Sequence, residues 1–268
     1  MKAWTLGSGS KGNSILLESD GTRVLIDAGF SPRALAQRLA TAGVQPESIS
    51  AVIVTHEHID HMKGISAAQR KWKWQLFGSA GTIAAIADLD EARCTAIRST
   101  ASFNIGALQF ELIRVPHDAA APTAVVATAT RTGFRTGVAH DLGAVPDTLR
   151  AAFARLDLLL LESNHDEEML RNGPYPAFLQ SRITGGSGHL SNRKSAALTR
   201  ELACEQLRHL VLLHLSEVNN TPQHAVSAAE TALRGAKSKC RVTAAPQDRA
   251  AGPFGDVTGG VRQLALAL

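Results

Sequence analysis

The segment THEHIDH, residues 55–61, follows directly after the apolar run AVIV. It places three histidines, one glutamate and one aspartate within seven positions. His56 and His58 are two residues apart, so their rings point to the same side if this segment is extended. Asp60 and His61 follow where the strand pattern gives way to a helical one. The segment therefore predicts four potential metal ligands at the carboxyl end of one strand.

The ligand types in this segment indicate the kind of metal. Imidazole nitrogens combined with carboxylate oxygens suit zinc, manganese or iron, whereas calcium prefers oxygen ligands almost exclusively. The helical zinc-protease motif is excluded, because Asp60 stands where that motif requires its second histidine.

The composition predicts an ordinary globular protein. A chain of 268 residues with 44% hydrophobic and 19% charged residues can bury one sizeable core. The net charge of +4 permits a polyanionic partner without requiring one. Cys94, Cys204 and Cys240 form no CxxC pair, which favours a reducing compartment over a disulfide framework. We find neither a signal peptide nor a membrane-spanning run, so we expect a cytoplasmic protein without a membrane partner.

Alternating strand and helix patterns predict one α/β domain over residues 1–268. Strands are expected at residues 3–6, 14–19, 23–26, 51–55, 74–77, 107–115, 123–130, 132–138, 156–162 and 209–214. Helices are expected at residues 32–42, 60–74, 192–207 and 222–235. No long linker or internal repeat interrupts this order, so we expect layered sheets with helices outside.

Most other histidines fall at predicted strand ends or in loops, where metal sites are assembled. They are His117, His140, His165, His189 and His214. His140 is followed by Asp141 and is expected to point away from the metals, while His214 ends the apolar strand at 209–214.

The order of these residues resembles that of the metallo-β-lactamase superfamily, in which HxHxDH is followed by a histidine, an aspartate and a final histidine. The matching positions are Asp27 in LIDAG, His56, His58, Asp60 and His61 in THEHIDH, His117 in VPHDAAAP, Asp141 in AHDLG and His214 in LLHLSEVNN. Within the superfamily, LGSGSKGNS, ESNHD and GHLSN resemble the YycJ/WalJ group of bacterial nuclease-like proteins. The resemblance covers roughly residues 5–222.

The resemblance implies a four-layered αββα sandwich with two divalent metal ions in a groove along one edge. The implied ligands are His56, His58 and His117 for the first metal, Asp60, His61 and His214 for the second, and Asp141 for both. Asp27 would orient a ligand without binding metal itself. Two such cations would lower the pKa of a shared water and hold the resulting bridging hydroxide for attack on a phosphodiester.

The late segments LLLLESNHD, GHLSN and LLHLS resemble, in order, those of ribonuclease Z. This resemblance implies that His189 contacts the scissile phosphate or acts as a general acid, and that Glu162 orients His189 or tunes its pKa. The structural alternatives are that His189 caps the helix predicted from residue 192 and that Glu162 closes a strand. With the metal ligand Asp60, these two residues form the predicted catalytic set.

Four further residues are candidates for substrate contacts or for supporting the ligands. They are Ser10, Asn13, Asn164 and His165. The glycine-rich stretch at residues 6–13 could bring backbone amides close to a phosphate, or could simply form a hairpin loop. The stretch RKWKW at residues 70–74 resembles a single-strand binding surface. A buried tryptophan with solvated lysines is nevertheless the favoured explanation for it.

These expectations describe a dinuclear-metal-dependent phosphodiester hydrolase, with a DNA exonuclease-like nuclease as the first choice. DNA is favoured over RNA, because no β-CASP-like insertion or tRNA-binding arm is evident. The alternatives are a hydrolase of small cyclic or nucleotide phosphodiesters, a thioester hydrolase, and a non-catalytic nucleic-acid-binding protein with a structural metal. The segment VRQLALAL, residues 261–268, is a candidate final strand or homodimer contact.

Overall fold

The computed structural model describes residues 1–98 and 101–255, and fourteen strands of this part form two seven-stranded sheets. The first sheet contains β1 (Lys2–Gly7), β2 (Ser14–Ser19), β3 (Thr22–Ile26), β4 (Ala51–Val54), β5 (Gln75–Gly78), β6 (Cys94–Ala96) and β14 (Ala251–Gly255). The second contains β7 (Ser102–Ile105), β8 (Leu108–Arg114), β9 (Thr123–Ala129), β10 (Arg135–Ala139), β11 (Leu158–Glu162), β12 (His209–Leu213) and β13 (Arg241–Ala244).

Both sheets mix parallel and antiparallel pairs. The strand order is β14-β1-β2-β3-β4-β5-β6 in the first sheet and β13-β12-β11-β10-β9-β8-β7 in the second. Strands β3 to β6 run parallel to one another, as do β10 to β13. Because the carboxyl ends of parallel strands meet at one edge, the segments that follow β3 and β4 lie together, as do those that follow β10, β11 and β12.

Nine α-helices occur in the described ranges of the chain. They are α1 (Pro32–Thr41), α2 (Ile59–Met62), α3 (Ile65–Trp72), α4 (Ala80–Ala85), α5 (Asp147–Ala152), α6 (Glu167–Asn172), α7 (Ala177–Thr184), α8 (Asn192–Leu202) and α9 (Pro222–Gly235). Helices α1 and α3 pack on the first sheet, and α5, α8 and α9 pack on the second. A separate core joins the two sheets face to face. The expected four-layered αββα sandwich is confirmed.

Strand β11 shows why the central strands read as continuous apolar runs. Leu158 and Leu160 join the core between the sheets, whereas Leu159 and Leu161 join the core beneath the helices. Successive side chains of a strand point to opposite faces, so a strand covered on both faces must be apolar at every position. The strand ends at Glu162, a fully buried carboxylate.

The prediction of one continuous helix at residues 60–74 is wrong, because the chain forms two helices, α2 and α3, with a break at Gly64. The Gly64 amide donates to the carbonyl of Ala28 over 2.9 Å, and a Cβ atom at Gly64 would lie 1.9 Å from the Phe30 carbonyl oxygen. A regular helix cannot form this close contact with the segment after β3. The break separates the short helix that carries Asp60 and His61 from the amphipathic helix α3.

Other boundaries also differ from the expectations. The strand predicted at 132–138 begins only at Arg135, because Gly133 adopts a left-handed turn with φ of 68°. The helix predicted at 192–207 ends at Leu202. Strands β6, β7, β13 and β14 and helices α4 to α7 were not predicted. The candidate strand or dimer contact at residues 261–268 lies outside the described residues, and the single domain over 1–268 stays a prediction.

The stretch RKWKW at residues 70–74 has the buried tryptophan expected of it. Trp74 is buried and donates its indole N–H to the Pro46 carbonyl over 2.8 Å, and Trp72 stacks on it with 4.8 Å between ring centroids. No helix among the described residues is long and apolar enough to span a membrane.

Candidate metal centre

His56, His58 and His117 form the first cluster of potential ligands, whose nitrogens lie within 4.8 Å of one another. His58 Nε2 lies 2.8 Å from the Asp118 carbonyl, and His117 Nδ1 lies 3.1 Å from the Gly188 carbonyl. A carbonyl can only accept, so each of these nitrogens carries the ring proton. The other nitrogens, His58 Nδ1 and His117 Nε2, face each other 3.3 Å apart, and each is a lone pair when its ring is neutral.

Asp60, His61 and His214 form the second cluster, again with ligand atoms within 4.8 Å. Asp60 Oδ2 lies 3.3 Å from His61 Nε2 and 3.4 Å from His214 Nε2. The Asn13 side-chain amide donates to Asp60 Oδ2 over 3.1 Å and lies 3.0 Å from His61 Nε2. Helix α2 begins beside Asp60, and its brevity keeps Asp60 and His61 at the sheet edge.

Asp141 lies between the two clusters. Its Oδ2 atom is 4.0 Å from His56 Nε2 and 2.7 Å from His61 Nε2. Its Oδ1 atom is 3.2 Å from His214 Nδ1 and 3.2 Å from His189 Nδ1. All seven predicted ligands therefore lie in one continuous centre, with Asp141 in the position expected of a shared ligand.

Two buried atoms show that these residues fit a divalent metal. Within the described chain, His56 Nε2 and Asp141 Oδ2 have no hydrogen-bond partner. Asp141 Oδ2 is close to His61 Nε2, but the contact lacks hydrogen-bond geometry. An unsatisfied buried polar atom costs free energy, so two such atoms beside the imidazole nitrogens of these clusters form a donor set that fits a divalent cation.

The electrostatics of the imidazoles also suit metal binding. Burial lowers the pKa of His56 well below its ordinary value, with a further contribution from nearby His61. Burial likewise lowers the pKa of His117. Both rings are therefore held in the neutral form that binds metal. Burial also opposes a charge on His61, but Asp141 and Asp27 outweigh it and raise the pKa of His61, so the metal-free centre draws in positive charge.

Asp27 connects the first sheet to the predicted ligands and is not itself one of them. Its Oδ1 accepts the Thr55 amide N–H over 2.7 Å, and its Oδ2 accepts the Thr55 hydroxyl over 2.7 Å. The same Oδ2 lies 2.7 Å from His61 Nδ1. Burial raises the pKa of Asp27, but His61 and His140 outweigh it and keep the carboxyl ionised. Asp27 therefore fixes both the strand end that carries His56 and the ring of His61.

His140 departs from its expected orientation. Rather than pointing away from the centre, its Nε2 lies 3.1 Å from Asp27 Oδ2, and its ring centroid is 4.6 Å from that of His61. Its position directly before Asp141 was the available signal, but a neighbour in sequence points to the opposite face only when both residues are in a regular strand. Asp141 has left that conformation, with φ of 55°.

We expect Asp27→Asn to weaken metal binding by about 10–100-fold, because outer partners that orient metal-binding imidazoles typically have effects of this size. Asparagine keeps the shape of the side chain and tolerates the left-handed backbone at this position, where φ is 61°. The measurement is a competition titration with a metal chelator. Asp20→Asn, an exposed carboxylate with φ of 46°, is the matched control. Unchanged metal affinity in Asp27→Asn would contradict the proposed role.

Glu162 and His189 form a pair beside the metal ligands. Glu162 Oε1 lies 2.7 Å from His189 Nδ1, while Oε2 accepts the amides of Leu142 and Leu190 over 3.1 and 3.0 Å. Burial raises the pKa of Glu162, but His189 outweighs it and lowers the pKa to about 2. Burial lowers the pKa of His189, but Glu162 and Asp141 outweigh it and raise the pKa to about 11. The two shifts make this an ionised pair with His189 as the cation.

A cavity of about 270 Å³ opens over the centre, and five of the predicted ligands line it together with Ser10 and His189: His58, Asp60, His117, Asp141 and His214. Helix α7 forms another part of its wall, through Leu179, Arg182 and Ile183. Arg182 pairs with Asp118 over 2.9 Å. Sequence reasoning missed this wall, because α7 has no buried residues and gives no periodic apolar signal.

The remaining candidates divide between the centre and a different part of the molecule. Asn164 donates its side-chain amide to the His214 carbonyl over 2.9 Å and so supports a ligand. His165 lines a separate cavity on the other side of α7 and does not reach the metal cavity. Asn13 anchors the glycine-rich loop, because its side chain accepts the Gly9 amide over 2.8 Å while it donates to Asp60.

Comparisons with known proteins identify the family and the fold. The chain matches a family model described as the β-lactamase superfamily domain over residues 22–215. It is 33% identical over 222 residues to exodeoxyribonuclease WalJ of Streptococcus pneumoniae, covering 80% of this chain and 81% of WalJ. It is 31% identical over 221 residues to exodeoxyribonuclease YycJ of Bacillus anthracis, covering 80% of this chain and 82% of YycJ. The crystal structure of YhfI from Bacillus subtilis, a metallo-β-lactamase-fold protein, is similar in fold, with a TM-score of 0.72, 18% identity, and coverage of 94% of this chain and 99% of YhfI.

Proposed function

Since the chain belongs to the β-lactamase superfamily, in the group that includes WalJ and YycJ, and is a metal-dependent hydrolase, we propose that it is a nuclease that removes nucleotides from DNA. The observation that carries the proposal is a pair of ligand clusters joined by Asp141, with His189 lining the same cavity and the buried Glu162 behind it. This arrangement combines sites for two divalent cations with a protonated side chain near the reacting group.

The ligands divide between the two proposed cation sites. His56, His58 and His117 would hold one cation, Asp60, His61 and His214 the other, and Asp141 both. Zinc and manganese are the first candidates and iron the third, because imidazole and carboxylate suit all three. When bound, such a cation pair supplies the nucleophile by lowering the pKa of a shared water, and it neutralises the oxygens of the phosphodiester.

His189 is the proposed proton donor to the leaving oxygen of the cleaved strand. Its Nδ1 contacts the carboxylates of Glu162 and Asp141. Its Nε2 forms no hydrogen bond with any of the described residues. Glu162 is the positioning residue, because two backbone amides fix one of its oxygens and leave the other for His189. The ring thus presents a proton to the cavity. The leaving oxygen of a DNA strand requires such a proton, and water alone would supply it slowly.

DNA is the proposed substrate in preference to RNA, with support from the names of WalJ and YycJ. A cytoplasmic location is proposed on the chemistry of Cys94, Cys204 and Cys240, which are free thiols. The homodimer stays a prediction.

The test is to strip the protein of metal, reload it separately with Mn²⁺ and with Zn²⁺, and add labelled single- and double-stranded DNA and RNA. We expect metal-dependent release of nucleotides from DNA, absent in His58→Ala/Asp60→Ala. Turnover of bis(p-nitrophenyl) phosphate without cleavage of any polymer would favour the small-phosphodiester alternative. Inactivity on both substrates would contradict the proposal and favour the thioester hydrolase or the binding protein.

A further inference from the structure

A second cavity, of about 440 Å³, lies on the far side of α7 from the metal centre. Leu179, Arg182 and Ile183 of this helix line the metal cavity, whereas Ala177, Gln180, Ser181 and Thr184 line the second one. A helix with its side chains is about 10–12 Å across, so one nucleic-acid strand can reach both cavities. The volume lies within the range of small-molecule sites, about 300–1,000 Å³.

The rim of the second cavity is cationic. Arg171, Arg193 and Lys194 line it, against one carboxylate, Glu167. Arg193 pairs with Glu167 over 2.9 Å, while Arg171 and Lys194 have no ion pair within the described residues. The N-terminus of α8 opens onto the same cavity, since Ser191 caps this helix and Lys194 accompanies it in the lining. Two unpaired cations and the positive end of a helix dipole suit a phosphate group.

His165 provides an independent sign of a ligand at the inner part of this cavity. The residue is only 2% exposed, and its Nδ1 lies 3.3 Å from Asn164 Oδ1, which can only accept. Nδ1 therefore carries the proton, and Nε2 is a lone pair for which no described residue provides a donor. Burial lowers the pKa of His165 to about 4, which keeps the ring in this neutral form. Because His165 lines the cavity, this lone pair is open to a hydrogen-bond donor from a ligand bound there.

Phe178 offers an exposed aromatic ring on the helix that separates the two cavities. It lies on α7 between the residues that line them, and 75% of it is exposed, which is unusual for so large an apolar side chain. Base stacking on an exposed aromatic ring is the usual way to hold a single strand without reading its sequence.

We propose that the second cavity binds one nucleotide of the substrate strand, with its phosphate at Arg171 and Lys194 and a hydroxyl or amino donor at His165 Nε2, while the scissile phosphate lies in the metal cavity. The proposal rests on the nuclease function for its choice of ligand. A nucleotide is the one unit of such a strand that offers both an anion for the rim and a donor for the inner lone pair. The cavity would then raise affinity for polymers without taking part in bond cleavage.

The test compares two substrates in the metal-loaded enzyme and in Arg171→Ala/Lys194→Ala. We expect KM for a single-stranded oligodeoxynucleotide to rise about ten-fold, the effect of losing a charge-assisted contact to phosphate, while turnover of bis(p-nitrophenyl) phosphate stays within about two-fold. Arg234→Ala/Lys239→Ala removes the same charge near the end of α9, outside both cavity linings, and should change neither value. An unchanged KM for the oligonucleotide, or equal losses on both substrates, would overturn the proposal.

A binding measurement separates this proposal from the proposed function. Calorimetric titration with deoxyadenosine 5′-monophosphate should show binding that weakens about ten-fold in the double variant, even if no polymer is cleaved. His165→Phe, checked for folding by thermal melting, should weaken the nucleotide but not inorganic phosphate. Equal effects on both ligands would show an anion site only and overturn the nucleotide assignment. Unchanged binding in the double variant would overturn it as well.

Discussion

Replacing Asp141 by asparagine is expected to lower phosphodiester hydrolysis by about 10²–10³-fold, comparable to the loss of a principal charge-stabilising group in other enzymes. The reason is its position, with one oxygen 2.7 Å from His61 and the other 3.2 Å from His214. An amide keeps the shape of the side chain but removes the negative charge that the two proposed cations would require. Because asparagine tolerates the left-handed backbone found here, where φ is 55°, the loss would report the missing charge rather than a refolded strand end.

The measurement pairs kcat/KM with the metal content of the purified protein. Both are expected to fall in Asp141→Asn, and removal of metal from the wild type by a chelator should reproduce the loss of activity. Asp88→Asn is the matched control, because Asp88 is an exposed aspartate with φ of 58°. If Asp141→Asn keeps full activity and full metal content, Asp141 is not a shared ligand.

Replacing His189 by asparagine is expected to separate two kinds of substrate. Hydrolysis of DNA should fall by about 10²–10⁴-fold, the usual contribution of a general acid. Turnover of bis(p-nitrophenyl) phosphate should fall far less, because p-nitrophenolate is a weak base that leaves without a proton. Asparagine retains an N–H donor for Glu162, so that the buried carboxylate is not left unpaired.

This comparison distinguishes proton donation from a structural role. If His189 only capped α8 or only supported the centre, both substrates would lose activity by a similar factor. Among the described residues, Ser191 rather than His189 accepts the N-terminal amide of α8, through its hydroxyl at 3.2 Å from Lys194 N. His224→Asn, an exposed histidine in the first turn of α9, serves as the control and should affect neither substrate.

The first-cluster ligands of the THEHIDH segment could be predicted because they depend on local geometry. His56 and His58 follow a buried strand, and the period of two in an extended chain already places their rings on one side. His117, Asp141 and His214 come from distant strands, and only the resemblance to a superfamily connected them. The structure brings them together because the carboxyl ends of β10 and β12 meet at one edge of the second sheet.

The break in the helix at Gly64 and the presence of helix α7 could not be predicted, for two different physical reasons. The break at Gly64 depends on a backbone contact with Ala28 and Phe30, which lie more than thirty positions earlier in the chain. No local propensity carries that information. Helix α7 was missed for the opposite reason, because it buries no side chain and so leaves no apolar period, although it separates the two cavities.

The left-handed backbone at Asp27, Asp141 and His214, with φ of 61°, 55° and 52°, sets a limit on engineering this protein. Such a conformation costs roughly 1–2 kcal/mol for residues other than glycine, so each position is a local weakness in the stability of the fold. A design procedure that weighs backbone strain alone would favour glycine at all three positions. Glycine would relieve that strain but would remove candidate ligands and the carboxylate that Thr55 and His61 contact, so these positions must be held fixed in any thermostabilised variant.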